Sequence, residues 1–395
     1  MAAIPPVCFV CPGPIVDPVM CVYCHTTFCR PCLDASVGQC GQCTRILFDE
    51  EGRREIVPVP VVVHQRWRPL FWLAAMAILV GAIVAPAVWR GLQTQPVPRT
   101  VFPLSGVSPV EPTVVLGSRG SGRGQLERPC GVAIDRGGRA VVVDSGNNRI
   151  QVLSSQDGSV LLTIGVHGSE DGQFASPYAA TIDYEGRIIV ADTDNHRIQV
   201  FTREGSFLFT FGSNGAKDGQ FHRPHGVAVG RLGRIIVADT DNHRIQVFTR
   251  EGSFLFKFGS HSQQDGGFSF PRGVAVDHEG RIIVADTNNH RVQIFSREGR
   301  LLSKFGSGGR REAEFLLPSS VSVGFDGQLV VADWGNHRVQ GFSRDGEFLL
   351  KIGSSQGQAA GQFSNAQGVA VDGEGRIFVA DTENHRVQIF PGTWR

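Results

Sequence analysis

Cysteine pairs near the start of the chain are the residues whose spacing most directly predicts chemistry. Eight of the nine cysteines lie between residues 8 and 43, in four pairs with two residues between partners: Cys8/Cys11, Cys21/Cys24, Cys29/Cys32 and Cys40/Cys43. Each pair can supply two thiolates to a tetrahedral zinc ion, so four pairs predict two closed zinc sites. A disulfide framework is the alternative, but disulfides occur mainly in oxidising compartments and we expect no signal peptide ahead of this segment.

Residues 1–48, which contain these pairs, resemble a RING finger. The spacing reads C-x2-C-x9-C-x3-H-x3-C-x2-C-x7-C-x2-C when His25 is counted, and Ile15–Val19 and Phe28–Leu33 are also similar to RING sequence. The resemblance implies two cross-braced zinc sites. One would use Cys8, Cys11, Cys29 and Cys32, and the other Cys40 and Cys43 with two of Cys21, Cys24 and His25. Cys21 and Cys24 are favoured for the second site, because a CxxC knuckle is already shaped for chelation.

A RING finger usually holds a charged ubiquitin-conjugating enzyme in a reactive pose and does no covalent chemistry itself. By resemblance, Val10 and Leu33 match the apolar contacts to that enzyme, and Arg45 is the candidate cation that would grip ubiquitin. The alternative is a zinc-bound interaction module without ligase activity.

The rest of the chain is dominated by an internal repeat. The sequence ADTDNHRIQVF at residues 191–201 returns in close copies, and the Asp of each copy falls at 144, 192, 239, 286, 333 and 381. A period of 47 or 48 residues is typical of a solenoid or a propeller. Within one unit, short runs rich in β-branched and aromatic residues alternate with turn residues, which predicts four antiparallel strands. The sequence therefore predicts an all-β, six-bladed β-propeller.

Residues 113–395 are predicted to form this propeller. The last copy ends at Phe390 without a fourth strand, and Val114–Pro129 aligns with Phe209–Pro224 of a complete unit. Strand 113–117 should therefore complete blade six and close the ring. The motif NHR-[IV]-Q-[VI]-F after an Asp, with GQF-x-RP-x-GVAVD upstream, resembles the NHL repeat and is similar in style to the tripartite-motif NHL proteins, without their B-box and coiled coil.

Residues that recur in every blade are predicted to be structural. We expect the Asp, Asn, His and Arg of the motif to form loop hydrogen bonds and ion pairs between blades. Blade-specific residues on the same face are the better ligand-binding candidates. The residue after the loop proline, which precedes the first strand of each repeat, varies from blade to blade. In the motif loop, Trp334 replaces the Ser or Thr of the other copies. The candidates are Arg128, Tyr178, Arg223, His225, Arg272 and Trp334.

Aromatic and guanidinium planes of this kind could stack on RNA, and the resemblance implies RNA binding through this face. However, residues 112–395 hold 30 basic and 30 acidic residues, so any field that attracts phosphate could only be local. A protein or peptide ligand is at least as well supported.

Residues 69–90 are predicted to form one transmembrane helix in contact with membrane lipid. Leu70–Trp89 contains twenty residues without a charge, and twenty helical residues span about 30 Å, the thickness of the hydrocarbon layer. A buried helix of a soluble protein is the alternative. Residues 49–68 and the proline-rich residues 91–112 would be linkers.

The arginines beside this span predict its orientation. Within 20 residues of the span, four arginines precede it and two follow it, namely Arg53, Arg54, Arg66 and Arg68 before, and Arg90 and Arg99 after. The positive-inside rule therefore places the zinc segment in the cytosol and the propeller on the other side of a single-pass membrane protein.

Together these patterns predict a membrane-anchored RING-type ubiquitin ligase whose propeller recognises a protein or an RNA. The main alternative is a non-enzymatic membrane receptor or scaffold. A metal-dependent lyase or hydrolase is a weaker third hypothesis, because the innermost strands carry no clustered histidines.

Overall fold

The structure is a computed structural model that describes residues 110–392 and, at the level of the backbone, two short strands, β1 (Pro18–Met20) and β2 (Thr27–Cys29). The chain divides into two compact units, residues 1–102 and 103–395. In the first unit β1 and β2 pair antiparallel, with Val19 opposite Phe28. The predicted zinc-ligand side chains, and the predicted contacts Val10, Leu33 and Arg45, lie outside the described residues.

The predicted membrane span at residues 70–89 also lies outside the described residues. Within the part of the chain that is described, no helix has both the length and the apolar composition needed to cross a bilayer.

Six four-stranded antiparallel sheets form the second unit, and each is one blade. Strand β3 (Val114–Leu116) precedes them. Blade 1 contains β4 (Gly131–Ile134), β5 (Arg139–Asp144), β6 (Arg149–Ser154) and β7 (Val160–Ile164), and blade 2 contains β8 (Ala179–Ile182), β9 (Ile188–Asp192), β10 (Arg197–Phe201) and β11 (Phe207–Phe211). Blade 3 contains β12 (Pro224–Val229), β13 (Ile235–Asp239), β14 (Arg244–Phe248) and β15 (Phe254–Phe258), and blade 4 contains β16 (Pro271–Val276), β17 (Ile282–Asp286), β18 (Arg291–Phe295) and β19 (Leu301–Phe305).

Blade 5 contains β20 (Pro318–Val323), β21 (Leu329–Asp333), β22 (Arg338–Phe342) and β23 (Phe348–Ile352), and blade 6 begins with β24 (Ala366–Val371), β25 (Ile377–Asp381) and β26 (Arg386–Phe390). The short 3-10 turns lie at Ser145–Asn147, Thr193–Asn195, Arg231–Gly233, Thr240–Asn242, Thr287–Asn289, Trp334–Asn336 and Thr382–Asn384. In each blade the first of its own strands is innermost, and these six strands surround a central channel.

The ring closes through β3, which is the fourth strand of blade 6. Leu116 pairs with Val387 and Val114 with Ile389, and the Thr113 N–H donates to the Ile389 carbonyl at 2.7 Å. Leu116 is buried in an apolar cluster with residues of blades 1 and 6. The propeller therefore has six blades, and its earliest strand joins its latest, as the alignment of residues 114–129 predicted.

The apolar core lies between neighbouring blades. Ile198 and Val200 of blade 2, for example, share a buried cluster with Val227 and Ile235 of blade 3. This follows from the sequence, since the middle strands are apolar on both faces and each face meets another blade. At the channel the innermost strands approach so closely that a Cβ on Gly226 would overlap the backbone of blade 4, which explains glycine there.

Candidate ligand-binding site at the mouth of the central channel

The repeated Asp is the centre of a buried hydrogen-bond hub in each blade. In blade 3, Asp239 accepts the His222 N–H at 2.7 Å, the Asn242 amide at 3.0 Å, Arg244 Nε at 2.7 Å and Gln246 Nε2 at 3.0 Å. Asp239 is fully buried and Arg244 nearly so. The hub satisfies a carboxylate and a guanidinium that would otherwise be costly to bury.

The other nitrogens of Arg244 donate to the carbonyls of Ala216, Lys217 and Gln220 at 2.8–2.9 Å. Those carbonyls lie in the connection between blades 2 and 3. The prediction of ion pairs between blades was therefore wrong in detail: the Asp–Arg pair lies within one blade and fastens the incoming connection to it. The physical reason is register, because Asp239 and Arg244 are directly opposite on adjacent antiparallel strands.

The repeated His connects each blade to the next. His243 Nδ1 accepts the N–H of Phe270, which precedes the loop proline of blade 4, at 3.1 Å. Phe270 has a φ of +51°, in the left-handed region that non-glycine residues rarely adopt. The corresponding contact exists at all six junctions; at the first, the Asn148 Oδ1 atom accepts the Ser176 N–H at 2.8 Å.

An acceptor role requires the Nδ1 atom of these histidines to be unprotonated. Burial lowers the pKa of His196, His243 and His337, which favours the neutral ring. The repeated His is thus an inter-blade clamp, in agreement with the predicted structural role of the motif.

The residues that follow the loop proline in blades 1 to 5, and the residue that follows Ala366 in blade 6, come together at one end of the channel. We call these six residues the channel mouth: Cys130, Tyr178, His225, Arg272, Ser319 and Gln367. Five of them line a cavity of about 220 Å³ that continues along the innermost strands. The sixth, His225, packs its ring edge-on against Tyr178, with the ring centroids 4.4 Å apart.

Arg272 is the central side chain of this mouth. Its guanidinium carbon lies 4.9 Å from the ring centroid of Trp334 and 5.9 Å from that of Tyr178. Among the described residues no carboxylate lies within ion-pairing distance of it, and its buried Nε has no hydrogen-bond partner. The buried Tyr178 hydroxyl and the buried Gln367 Oε1 atom are also unpartnered. These three residues line one cavity, so their polar atoms are available to a ligand and the channel mouth is the candidate binding site.

The electrostatics of the mouth are set by burial. Burial, with Arg272 and Arg223 nearby, lowers the pKa of His225 to about 3, and burial raises the pKa of the Cys130 thiol to about 11. Burial also raises the pKa of the Tyr178 phenol. Near neutral pH these three side chains are therefore uncharged, and Arg272 is the charged group of the mouth.

The structure brings four of the six predicted ligand-binding residues into one cluster: Tyr178, His225, Arg272 and Trp334. The other two form exposed ion pairs instead, Arg128 with Glu383 at 2.9 Å and Arg223 with Asp194 at 3.0 Å. Sequence reasoning did not select Gln367, although its equivalent position in the repeat was a signal that could have found it. Within residues 110–392 there is no group of three or more His, Cys, Asp or Glu side chains suited to hold a metal ion.

Comparison with known proteins decides the nature of the repeats. Six segments match the NHL repeat, at residues 126–153, 174–201, 221–248, 268–295, 315–342 and 363–390. The propeller is an NHL-repeat propeller. Each match begins just before the loop proline and ends with the third strand of a blade, so it includes both the Asp hub and the channel mouth.

A short stretch is also similar to protein lin-41 of Caenorhabditis elegans, with 42% identity over 50 residues. That match covers 13% of this chain and 4% of the relative, so the chain spans a small share of the curated relative that it matches.

Solved structures support the fold. The structure of a streptogramin B lyase superimposes with a TM-score of 0.51 at 13% identity, over 70% of this chain and 97% of the lyase. A protein of unknown function from Bacteroides thetaiotaomicron gives a TM-score of 0.54 at 16% identity, over 70% of this chain and 72% of that protein. Identities this low establish a shared fold alone. As an NHL propeller, this unit is an interaction domain, and the channel mouth is its candidate site.

Proposed function

We propose that this protein is a membrane-anchored RING-type ubiquitin ligase whose NHL propeller recognises the protein substrate. The observation that carries the proposal is the combination of four CxxC pairs with a separate interaction domain in one chain. In this arrangement the zinc segment provides the platform for the conjugating enzyme and the propeller selects what is modified.

Two zinc ions would be bound by the cysteines of residues 8–43, with Cys24 or His25 completing the second site. Zinc would fold the segment, because a module this short cannot bury enough apolar surface alone. Val10 and Leu33 would form the apolar contact to the conjugating enzyme, and Arg45 the contact to ubiquitin. Residues 70–89 would anchor the chain in lipid with the zinc segment in the cytosol.

A protein partner is favoured over RNA by the charges on the propeller face. Arg128 and Arg223, two of the basic candidates, are each paired with a carboxylate in the structure. A surface that binds RNA gains most of its affinity from unpaired cations that neutralise phosphates. The rival hypothesis is a receptor or scaffold without ligase activity, in which the zinc segment only assembles partners.

Ubiquitin transfer by the purified full-length chain tests the proposal. The chain, solubilised in mild detergent, is incubated with activating enzyme, ubiquitin, ATP and a panel of conjugating enzymes. We expect ubiquitin chains with at least one conjugating enzyme, and none from a Cys40→Ser/Cys43→Ser variant, which lacks two proposed zinc ligands.

A Val10→Glu variant separates the two hypotheses. It should keep its zinc content, measured by elemental analysis, and lose ubiquitin transfer, because only the apolar contact to the conjugating enzyme changes. Zinc-loaded wild-type chain that transfers no ubiquitin with any conjugating enzyme would refute the ligase and leave the scaffold.

A further inference from the structure

The junction between blades 5 and 6 departs from the repeat at two facing positions. At the other five junctions a Ser or Thr at the start of the 3-10 turn donates its hydroxyl to the carbonyl of the next loop proline, at 2.6–2.8 Å. In blade 5 that residue is Trp334, and the proline that it would face is replaced by Ala366. At this junction the indole of Trp334 therefore stands in place of the hydroxyl that makes this hydrogen bond elsewhere, and it packs against Arg272.

The channel mouth presents both hydrogen-bond donors and acceptors without partners. Arg272 Nε–H and the Tyr178 hydroxyl can donate, and Gln367 Oε1 can accept. His225 Nδ1 lies 2.9 Å from the Arg223 carbonyl oxygen, which can only accept, so Nδ1 carries the hydrogen and Nε2 of the neutral ring is left as an acceptor. A ligand that satisfies this set has an anionic acceptor group and an N–H group close to each other.

Cavity size limits the ligand to a small group. The cavity is about 220 Å³, below the range of roughly 300–1,000 Å³ that is typical of sites for drug-sized molecules. Its lining contains one charged side chain, Arg272, which matches a monoanion. A guanidinium is planar and suits a carboxylate, with which it can form two parallel hydrogen bonds.

We propose that the channel mouth binds an α-carboxylate together with the N–H group on its own α-carbon. Arg272 and Tyr178 donate to the carboxylate, Gln367 accepts from the N–H, and Trp334 holds the Arg272 guanidinium in place. The C-terminus of a protein and a free or N-acylated amino acid share this chemistry. The proposal deepens the recognition role of the propeller and does not depend on the zinc segment.

Calorimetric titration of the full-length chain tests this site and distinguishes the two sources. The probes are acetyl-pentaalanine with a free carboxylate, the same peptide as its C-terminal amide, N-acetylalanine and alanine. We expect the free peptide to bind and its amide to bind at least about tenfold more weakly, since a hydrogen bond to a charged group contributes about 1.5–3 kcal/mol. Binding of the peptide alone identifies a protein C-terminus, and equal binding of N-acetylalanine or alanine identifies a small molecule.

Three variants locate the binding. Arg272→Gln should weaken binding of the peptide with a free carboxylate by about tenfold or more. Trp334→Thr should also weaken binding of this peptide. Its melting temperature should be unchanged or higher, because Thr is the residue found at most other junctions. Arg310→Gln, which removes an exposed charge in a connecting loop, is the matched control and should bind as wild type does.

Several outcomes would overturn the proposal. These are equal affinity for the acid and the amide, wild-type affinity in Arg272→Gln, or no binding of any carboxylate probe at millimolar concentration. Tighter binding of inorganic phosphate or of a single-stranded RNA oligonucleotide at Arg272 would assign the mouth to phosphate instead. None of these measurements involves ubiquitin, so a failure here is distinct from a failure of ligase activity.

Discussion

At the scale of single residues, the repeated histidine has a role that depends on its protonation state. His243 Nδ1 accepts a backbone N–H from the next blade, so the proton that would occupy this nitrogen must be absent. An unfolded histidine has a pKa of about 6.5, and burial beside His261 lowers the pKa of His243 in the folded chain, although the carboxylates of Asp241, Asp239 and Asp286 oppose this. The unfolded state therefore binds more protons in this range, and the unfolding free energy should fall as pH drops below about 6.5.

The first prediction is that His243→Asn reduces this dependence on pH. Asn148 fills the same role at the first junction with an amide oxygen that does not titrate, and Asn also tolerates a positive φ. Melting temperatures of wild type and His243→Asn are measured between about pH 5 and 8. Below about pH 6.5 the melting temperature of the variant should fall less than that of wild type. His167→Asn at an exposed site is the control and should follow wild type; equal slopes in all three proteins would refute the clamp.

The sequence predicted part of the ligand-binding site, mainly through repeat positions at which the residue differs from blade to blade. Variation between blades singled out Tyr178, His225, Arg272 and Trp334, which the structure places together. The same reasoning chose Arg128 and Arg223, and failed there because a basic residue in sequence does not show whether an acidic partner from another loop reaches it. Gln367 lies at the same varying position of the repeat but was left out of the ligand-binding candidates, because the sequence of a neutral amide does not show that its oxygen is unpaired.

At the scale of elements, the sequence predicted both the strands of each blade and the closure of the ring of blades. Short alternating runs identified the four strands of a blade, and the missing final strand pointed to residues 113–117. The sequence could not predict whether the Asp–Arg ion pair lies within one blade or between two blades, since that depends on cross-strand register. The five-residue spacing of Asp239 and Arg244 allows several geometries, and only the turn at Thr240–Asn242 brings the two into direct opposition.

The second prediction concerns the closing strand β3. Leu116→Ala should lower the unfolding free energy by about 2–5 kcal/mol, because it removes buried methyl groups from the junction of blades 6 and 1. Val115→Ala, one position earlier and 46% exposed, should change it by less than about 0.5 kcal/mol. Chemical denaturation of both variants measures the difference, and similar losses would contradict closure through this strand.

At the scale of the whole molecule, the chain contains two compact units to which we assign different tasks. The third prediction follows from the proposed zinc sites. A strong chelator should release two zinc ions per chain and abolish ubiquitin transfer, because thiolate ligands are needed to fold a segment of this size. The melting transition of the propeller should not change, since within residues 110–392 no metal-binding cluster is found. A chelator that shifts the propeller transition would contradict this separation.

The central claim is that residues shared by all blades build the propeller, whereas blade-specific residues at the channel mouth recognise a ligand. Arg244 and Arg272 represent the two classes. Arg244 is bound by a buried carboxylate and three carbonyls, and Arg272 Nε has no partner.

Thermal melting of wild type, Arg244→Gln and Arg272→Gln tests this claim most directly. Breaking a buried pair costs about 3–5 kcal/mol, so Arg244→Gln should melt several degrees lower than wild type. Arg272→Gln removes a partly buried charge without an ionic partner, so it should melt at the wild-type temperature or above. A large loss of stability in Arg272→Gln, or none in Arg244→Gln, would contradict the division between the two classes.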